Sequence, residues 1–194
     1  MTHNKPLIVG IGGTTVAGSS TERALQIALC AAEDAGADVR LFGGETLAAL
    51  PLYTPGIART AGEEALVEAI RAASGVIIAS PGYHGSVSGM VKNAIDLLEE
   101  TARDARPYLA DVPVGLIATA YGWQATGSTV AALRSIAHAL RGWPTPFAAT
   151  VNSAQAKLDA TGGCSDPAVI DQLRLVGRQV AAAALRDHAA RVAA

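Results

Sequence analysis

Five short apolar runs alternate along this chain with five stretches in which apolar residues recur at spacings of three and four. The runs at 7–11, 38–42, 75–79, 112–118 and 146–151 predict strands. The first, third and fourth are continuous in Val, Ile, Leu and Ala, the pattern of strands buried on both faces of a parallel sheet. The intervening stripes predict helices, for example Leu25, Ala28, Leu29 and Ala32, or Met90, Val91, Ala94, Ile95 and Leu98. Each stripe covers one face of a sheet while Arg, Glu and Asp face water. Strict alternation of this kind predicts a three-layer α/β fold, with all of residues 1–194 in one domain. Segments 43–60 and 151–166 are the longest stretches without periodicity and are expected to form rim loops.

The chain has 194 residues, half of them hydrophobic, which is enough for one well-buried domain. Charged residues make up 16% and the net charge is −2, so neither a nucleic acid nor an anionic membrane surface is expected as a partner. No apolar run reaches the roughly 18 residues of a membrane span, and the first residues leave no room for a signal peptide before the first strand. Cys30, among alanines in a helical pattern, is expected in the core, and Cys164 in a glycine-rich loop on the surface. Two distant cysteines with no C-x-x-C fit a reducing cytoplasm.

The chemistry-bearing residues follow the strands, where open α/β sheets place their ligands. After the first strand come Gly13-Thr14-Thr15-Val16-Ala17-Gly18-Ser19-Ser20-Thr21 and then a helix. Hydroxyls and glycines at a helix N-terminus suit a phosphate, because the first-turn N–H groups have no carbonyl partners. No Gly-Lys-Ser/Thr is present, which excludes a P-loop, and Thr15 stands where a dinucleotide fingerprint has its third glycine. After the third strand, Ser80-Pro81-Gly82-Tyr83-His84-Gly85-Ser86 can bring bare backbone to a flat ligand. A serine-hydrolase elbow fails there, since Val87 holds the central position of Gly85-Ser86-Val87-Ser88-Gly89. The four histidines show no metal-ligand spacing. After the fourth strand, Thr119-Ala120-Tyr121-Gly122-Trp123 adds an aromatic pair able to stack on a planar ligand.

Together these residues resemble the NADPH-dependent FMN reductase family of flavodoxin-like proteins, which includes flavin, quinone, azo and chromate reductases. The family pattern G-S-x-R-x-x-S-x-N has the spacing of residues 13–21. The pattern P-x-Y-N-G-S, followed by a glycine and K-N-A-I-D, matches Pro81, Tyr83, Gly85, Ser86, Gly89, Lys92, Asn93, Ala94, Ile95 and Asp96. The resemblance runs from about residue 6 to 151. It implies a five-stranded parallel sheet of order 2-1-3-4-5 with helices on both faces. It also implies FMN as cofactor and NADPH or NADH as hydride donor. The hydride would pass to N5 of FMN and on to a small-molecule electron acceptor, in a homodimer or homotetramer.

By the same resemblance Thr14, Thr15, Ser19, Ser20 and Thr21 hold the flavin phosphate. Pro81, Gly82, Tyr83, His84, Gly85 and Ser86 line the ring, and Thr119, Ala120, Tyr121 and Gly122 close its other side. No catalytic side chain is required, because the chemistry is the cofactor's. Two positions depart from the pattern: Val16 replaces an arginine, and His84 replaces an asparagine. The helix after the fourth loop lacks the extra tyrosine of some two-component members, which implies a tightly held flavin. A non-enzymatic flavodoxin-type carrier and a flavin-free binding protein are the competing readings. The near-neutral charge speaks against the first and Val16 favours the second.

Overall fold

The computed structural model describes residues 5–192; His3 and the leaderless reading of the first four residues lie outside them. In chain order the elements begin β1 (Leu7–Gly12), α1 (Ser20–Asp34), β2 (Asp38–Phe42), α2 (Gly44–Ala48), α3 (Ala61–Ala72) and β3 (Gly75–Tyr83). They continue with β4 (Ser86–Val87), α4 (Gly89–Asp96), a 3-10 turn at Leu97–Thr101, β5 (Pro113–Ala120), α5 (Trp123–Ala139), β6 (Trp143–Asn152) and α6 (Pro167–Val192).

Five parallel strands form the sheet in the order β2-β1-β3-β5-β6, the expected order, and the two-residue β4 pairs antiparallel with the end of β3. Register runs Ile8 beside Val39 and Gly75, then Val76 beside Val114, then Leu116 beside Ala148. β1, β3 and β5 are central, so both of their faces are buried, which is why their sequences are apolar throughout.

One face carries α1 and α6, with Ile8, Leu25, Ile77, Ile117, Leu173 and Val180 at its core. The other packs Val9, Ile11, Leu66, Ile70, Ile78, Leu116 and Leu133 from the strands and from α3 and α5. Fully burying one such Leu or Ile is worth about 1.5–3 kcal/mol. Helix starts are fixed by short polar side chains. Thr60 and Glu63 form a reciprocal capping box at α3, and the hydroxyls of Ser19 and Ser88 cap α1 and α4. The far end of α3 is closed by Arg106, whose guanidinium donates to the carbonyls of Ala73 (2.6 Å), Ile70 (2.6 Å) and Arg71 (2.9 Å).

Three expectations change. The last strand begins at Trp143 rather than 146: on this edge strand Pro144 pairs with Val114, and a bulge between the pairs Val114–Pro144 and Leu116–Ala148 takes up Pro146. Segment 43–60 contains the short helix α2, and the backbone of its remainder is held by Asn93. The Asn93 amide donates to Pro51 O and its carbonyl oxygen accepts from Tyr53 N, both at 2.8 Å. Cys30 is exposed, one position off the buried stripe of α1, while Cys164 is half-buried against the core on that side.

Candidate functional site

The loops after β1, β3 and β5 meet at the carboxyl edge of the three central strands. Leaving β1, the chain passes so close to α2 that a methyl group on Gly13 would stand 2.6 Å from Gly44 N. Glu22 fixes this approach, its carboxylate accepting from Gly44 N at 2.8 Å. Thr14 Oγ1 then takes the Val16 N–H at 3.1 Å, turning the loop outward. Thr15, Val16, Ala17 and Gly18 are exposed. Ser19 closes the loop as the N-cap of α1, accepting from Glu22 N at 3.3 Å through its hydroxyl and from Arg23 N at 2.9 Å through its carbonyl. The N–H groups of Ser20 and Thr21 precede the first helical bond and are left facing the loop, at the positive end of the helix dipole.

Thr21 itself departs from the expected role. Its side chain is buried and its hydroxyl lies 2.6 Å from that of Thr119 at the end of β5. One residue expected at the phosphate and one expected at the ring therefore brace each other, and what Thr21 offers outward is its N–H.

After β3 the chain makes a hairpin, where the sequence reads as a glycine-rich loop. Tyr83 pairs with Ser86, and the two residues between them have positive φ, 51° at His84 and 87° at Gly85. Paired positive values are the mark of a type I′ turn, which matches the twist of the flanking strands. The buried Ser80 holds the hairpin base by accepting from Ser88 N at 3.0 Å and donating to Pro81 O at 2.9 Å. Thr129 in α5 docks against the other side, close enough that a methyl group on Gly82 would meet its Oγ1 at 2.6 Å. Pro81 is buried, while Tyr83, His84, Gly85 and Ser86 are exposed. Pro81 can therefore contribute backbone groups alone.

At the third loop Thr119 and Ala120 are buried strand residues, and Tyr121 stands 81% exposed at the rim. Gly122 is the N-cap of α5 and brings no side-chain bond to it, so a second set of first-turn N–H groups is open here. Trp123, the first residue of α5, is 55% exposed. The supports Glu22, Ser80 and Thr129 carry no motif in the sequence; their partners lie up to 43 residues away.

Electrostatics around this edge come from few groups. The Asp159 carboxyl, in the loop after β6, is held below the usual carboxylate range. The Thr161 hydroxyl (2.7 Å) is the main cause, helped by the N–H groups of Gly163 and Thr161 and by Arg23. Among the described residues no group of three or more His, Cys, Asp or Glu could hold a metal ion, and no helix is long and apolar enough to cross a membrane. A cavity of about 510 Å³ lined by Asp111, Trp143 and Arg186 lies at the opposite, amino edge of the sheet, away from these loops.

Residues 6–156 match the model of the NADPH-dependent FMN reductase family. The chain belongs to that family. Among curated relatives, a quinone reductase of Escherichia coli K12 is 46% identical over 57 residues, covering 27% of this chain and 30% of that protein. An FMN-dependent NADPH-azoreductase of Staphylococcus haemolyticus is 36% identical over 93 residues, 47% of this chain and 46% of that protein. The chain thus matches under half the length of either relative. A flavoenzyme NAD(P)H:(acceptor) oxidoreductase from Paracoccus denitrificans shares the fold at 20% identity. Its TM-score is 0.72, over 93% of this chain and 97% of the other.

The residues of this FMN reductase family member suit its family's cofactor. Two helix N-termini present unpartnered N–H groups at one edge. Methyl groups placed on Gly85 or Gly122 would meet nothing within 4 Å, so open space lies in front of the hairpin and of the α5 N-terminus. Exposed rings of Tyr83, Tyr121 and Trp123 flank it.

Proposed function

We propose that this chain is an FMN-dependent NAD(P)H oxidoreductase acting on a small acceptor such as a quinone or a second flavin. The observation that carries the reading is the convergence of loops 13–19, 81–86 and 119–122 on one open edge, within the span of the family match. FMN, when bound, supplies the chemistry: it accepts a hydride from the nicotinamide and passes electrons to the acceptor.

The protein's share is binding and orientation. The N–H groups of Ser20 and Thr21, with the hydroxyls of Thr14, Thr15, Ser19 and Ser20, hold the phosphate. Tyr83, His84, Gly85 and Ser86 line the ring, and the backbone of Pro81 and Gly82 sets their height. Gly122 at the α5 N-terminus aims N–H donors at the ring edge, where negative charge develops. Tyr121 and Trp123 shield the cleft from water. The whole chain acts as one domain, in the cytoplasm, as a homo-oligomer. Near-neutral charge, exposed Cys30 and the aromatic rim support those last readings.

The test is colour and turnover. Purified or FMN-loaded protein is expected to be yellow, to bleach under anaerobic NADPH or NADH, and to recolour with a quinone. A yellow protein inert to both nicotinamides would be a carrier. A protein that binds no FMN would overturn the reading.

A further inference from the structure

Loop 13–19 has hydroxyls and N–H groups but no cation of its own, because Val16, 67% exposed, occupies the arginine position of the family pattern. It also has an anion nearby. The Glu22 carboxylate lies 3.2 Å from where a methyl group on Gly13 would stand. A dianionic phosphate placed in this loop would be repelled from that side.

A positive charge stands on the loop's other flank. Arg23, the next residue of α1, does not extend into water but folds back over the loop. A methyl group on Gly18 would lie 3.2 Å from its Nη2 and 3.6 Å from its Nε. Its Nη1 donates to Leu158 O at 2.6 Å, which fixes the guanidinium between the phosphate loop and the loop after β6. Gly18 (φ 64°) thus serves two ends: it permits a left-handed turn and leaves room for a planar cation against the backbone. The neighbouring carboxylate, Asp159, feels the Arg23 charge, but its hydrogen bonds come from the hydroxyl and N–H of Thr161 and the N–H of Gly163, and none comes from Arg23. The one cation within the loop after β6, Lys157, is turned to Ser153 O at 2.8 Å.

We infer that Arg23 supplies, across Gly18, the positive charge for the cofactor's phosphate that the family pattern places at residue 16. The inference rests on loop 13–19 being the phosphate site of a bound FMN. Arg23 is then a positioning and affinity residue, and Leu158 O is its anchor. An arginine suits this place better than lysine, since one edge of its fork can stay on the carbonyl while the rest faces the loop.

The experiment compares FMN with riboflavin, which has the same ring and no phosphate, on the full chain freed of flavin. Fluorescence quenching gives both dissociation constants at low and high salt. Wild type is expected to prefer FMN, with a preference that shrinks as salt rises. Arg23→Gln is expected to weaken FMN about five- to tenfold, the size of one partly hydrated charge pair, and to leave riboflavin unchanged. Arg23→Lys is expected to keep most of the preference, Lys157→Gln all of it. Adding Val16→Arg to Arg23→Gln is expected to restore it. An unchanged preference in Arg23→Gln, or an equal loss for both flavins, would overturn the role of Arg23 while leaving the FMN site standing. A wild type that binds neither flavin, or both alike, would overturn the phosphate site itself. Melting temperatures identify a variant that fails to fold, in which case the Arg23→Lys and Lys157→Gln pair decides.

Discussion

The hydroxyls of Thr21 and Thr119 meet at 2.6 Å inside the protein, joining the first turn of α1 to the end of β5 across 98 positions of sequence. This bond holds the loop after β1 and the loop after β5 in fixed relation. Valine at either position keeps the shape but leaves the other hydroxyl buried without its partner. Each single variant is expected to lose about 1–3 kcal/mol, and the double variant less than the sum. Urea denaturation of the four proteins measures the coupling; strictly additive losses would show that the two hydroxyls do not act as a pair.

The hairpin turn makes a separate prediction. A methyl group on Gly85 meets nothing, so Gly85→Ala acts through φ 87° alone and is expected to cost about 1–2 kcal/mol. His84, at φ 51°, is less suited to the left-handed region than asparagine, so His84→Asn is expected to raise the melting temperature slightly. Thermal unfolding checks both. Bulkier Gly85→Val is further expected to yield protein that does not take up FMN.

Tyr53 predicts an alkaline effect. Burial, then its bond to Glu100 (3.0 Å) and the charges of Glu100 and Glu99, push its phenol up to about 12 from an ordinary value of 10.0. A raised value in the folded state contributes stability that is fully present below pH 10 and lost as pH rises through 12. Wild type is therefore expected to lose stability over that window faster than Tyr53→Phe. At pH 7 the variant is the weaker by about 0.5–1.5 kcal/mol. Equal slopes of unfolding free energy against pH would contradict this.

Arg106 serves three carbonyls at the end of α3, far from the carboxyl edge. Arg106→Met is expected to destabilise the protein by about 2–4 kcal/mol, the range for removing charge-assisted bonds from partly buried acceptors. Flavin affinity is expected to stay within twofold, which separates stability from binding.

Val16→Arg in the otherwise unchanged chain adds a cation at an exposed position with no packing to disturb. FMN affinity is expected to rise about threefold or more at low salt, and the gain to fade as salt is added. An equal gain for riboflavin would mean that the arginine contacts the ring rather than the phosphate.

What could be read in the sequence divides along physical lines. β1, β3 and β5 announce themselves because burial on both faces forces an unbroken apolar run, as in Val76, Ile77 and Ile78. The strand order comes from the family resemblance, carried by the pattern that ends Lys92 to Asp96, and alternation by itself predicts only the α/β layers. The expected strand 146–151 misses the first three residues of β6, since Trp143-Pro144-Thr145 has no apolar run and an edge strand tolerates the proline. Cys30 is exposed where a core position is expected, because alanine neighbours do not reveal which side of α1 faces the sheet. The Thr21–Thr119 bond and the Arg23–Leu158 contact left no trace, since pairs 98 and 135 residues apart are set by the fold and not by local pattern.

The bulged edge strand has one more effect. Trp143 N–H points inward to Val112 O, so the next amide position faces outward, and there Pro144 has no hydrogen to give; Pro146 falls within the bulge itself. An incoming strand from another molecule finds a gapped row of donors and a kinked backbone. The β6 edge is thereby a poor template for strand addition, and of the sheet's two edges only β2 keeps an unbroken row of backbone donors.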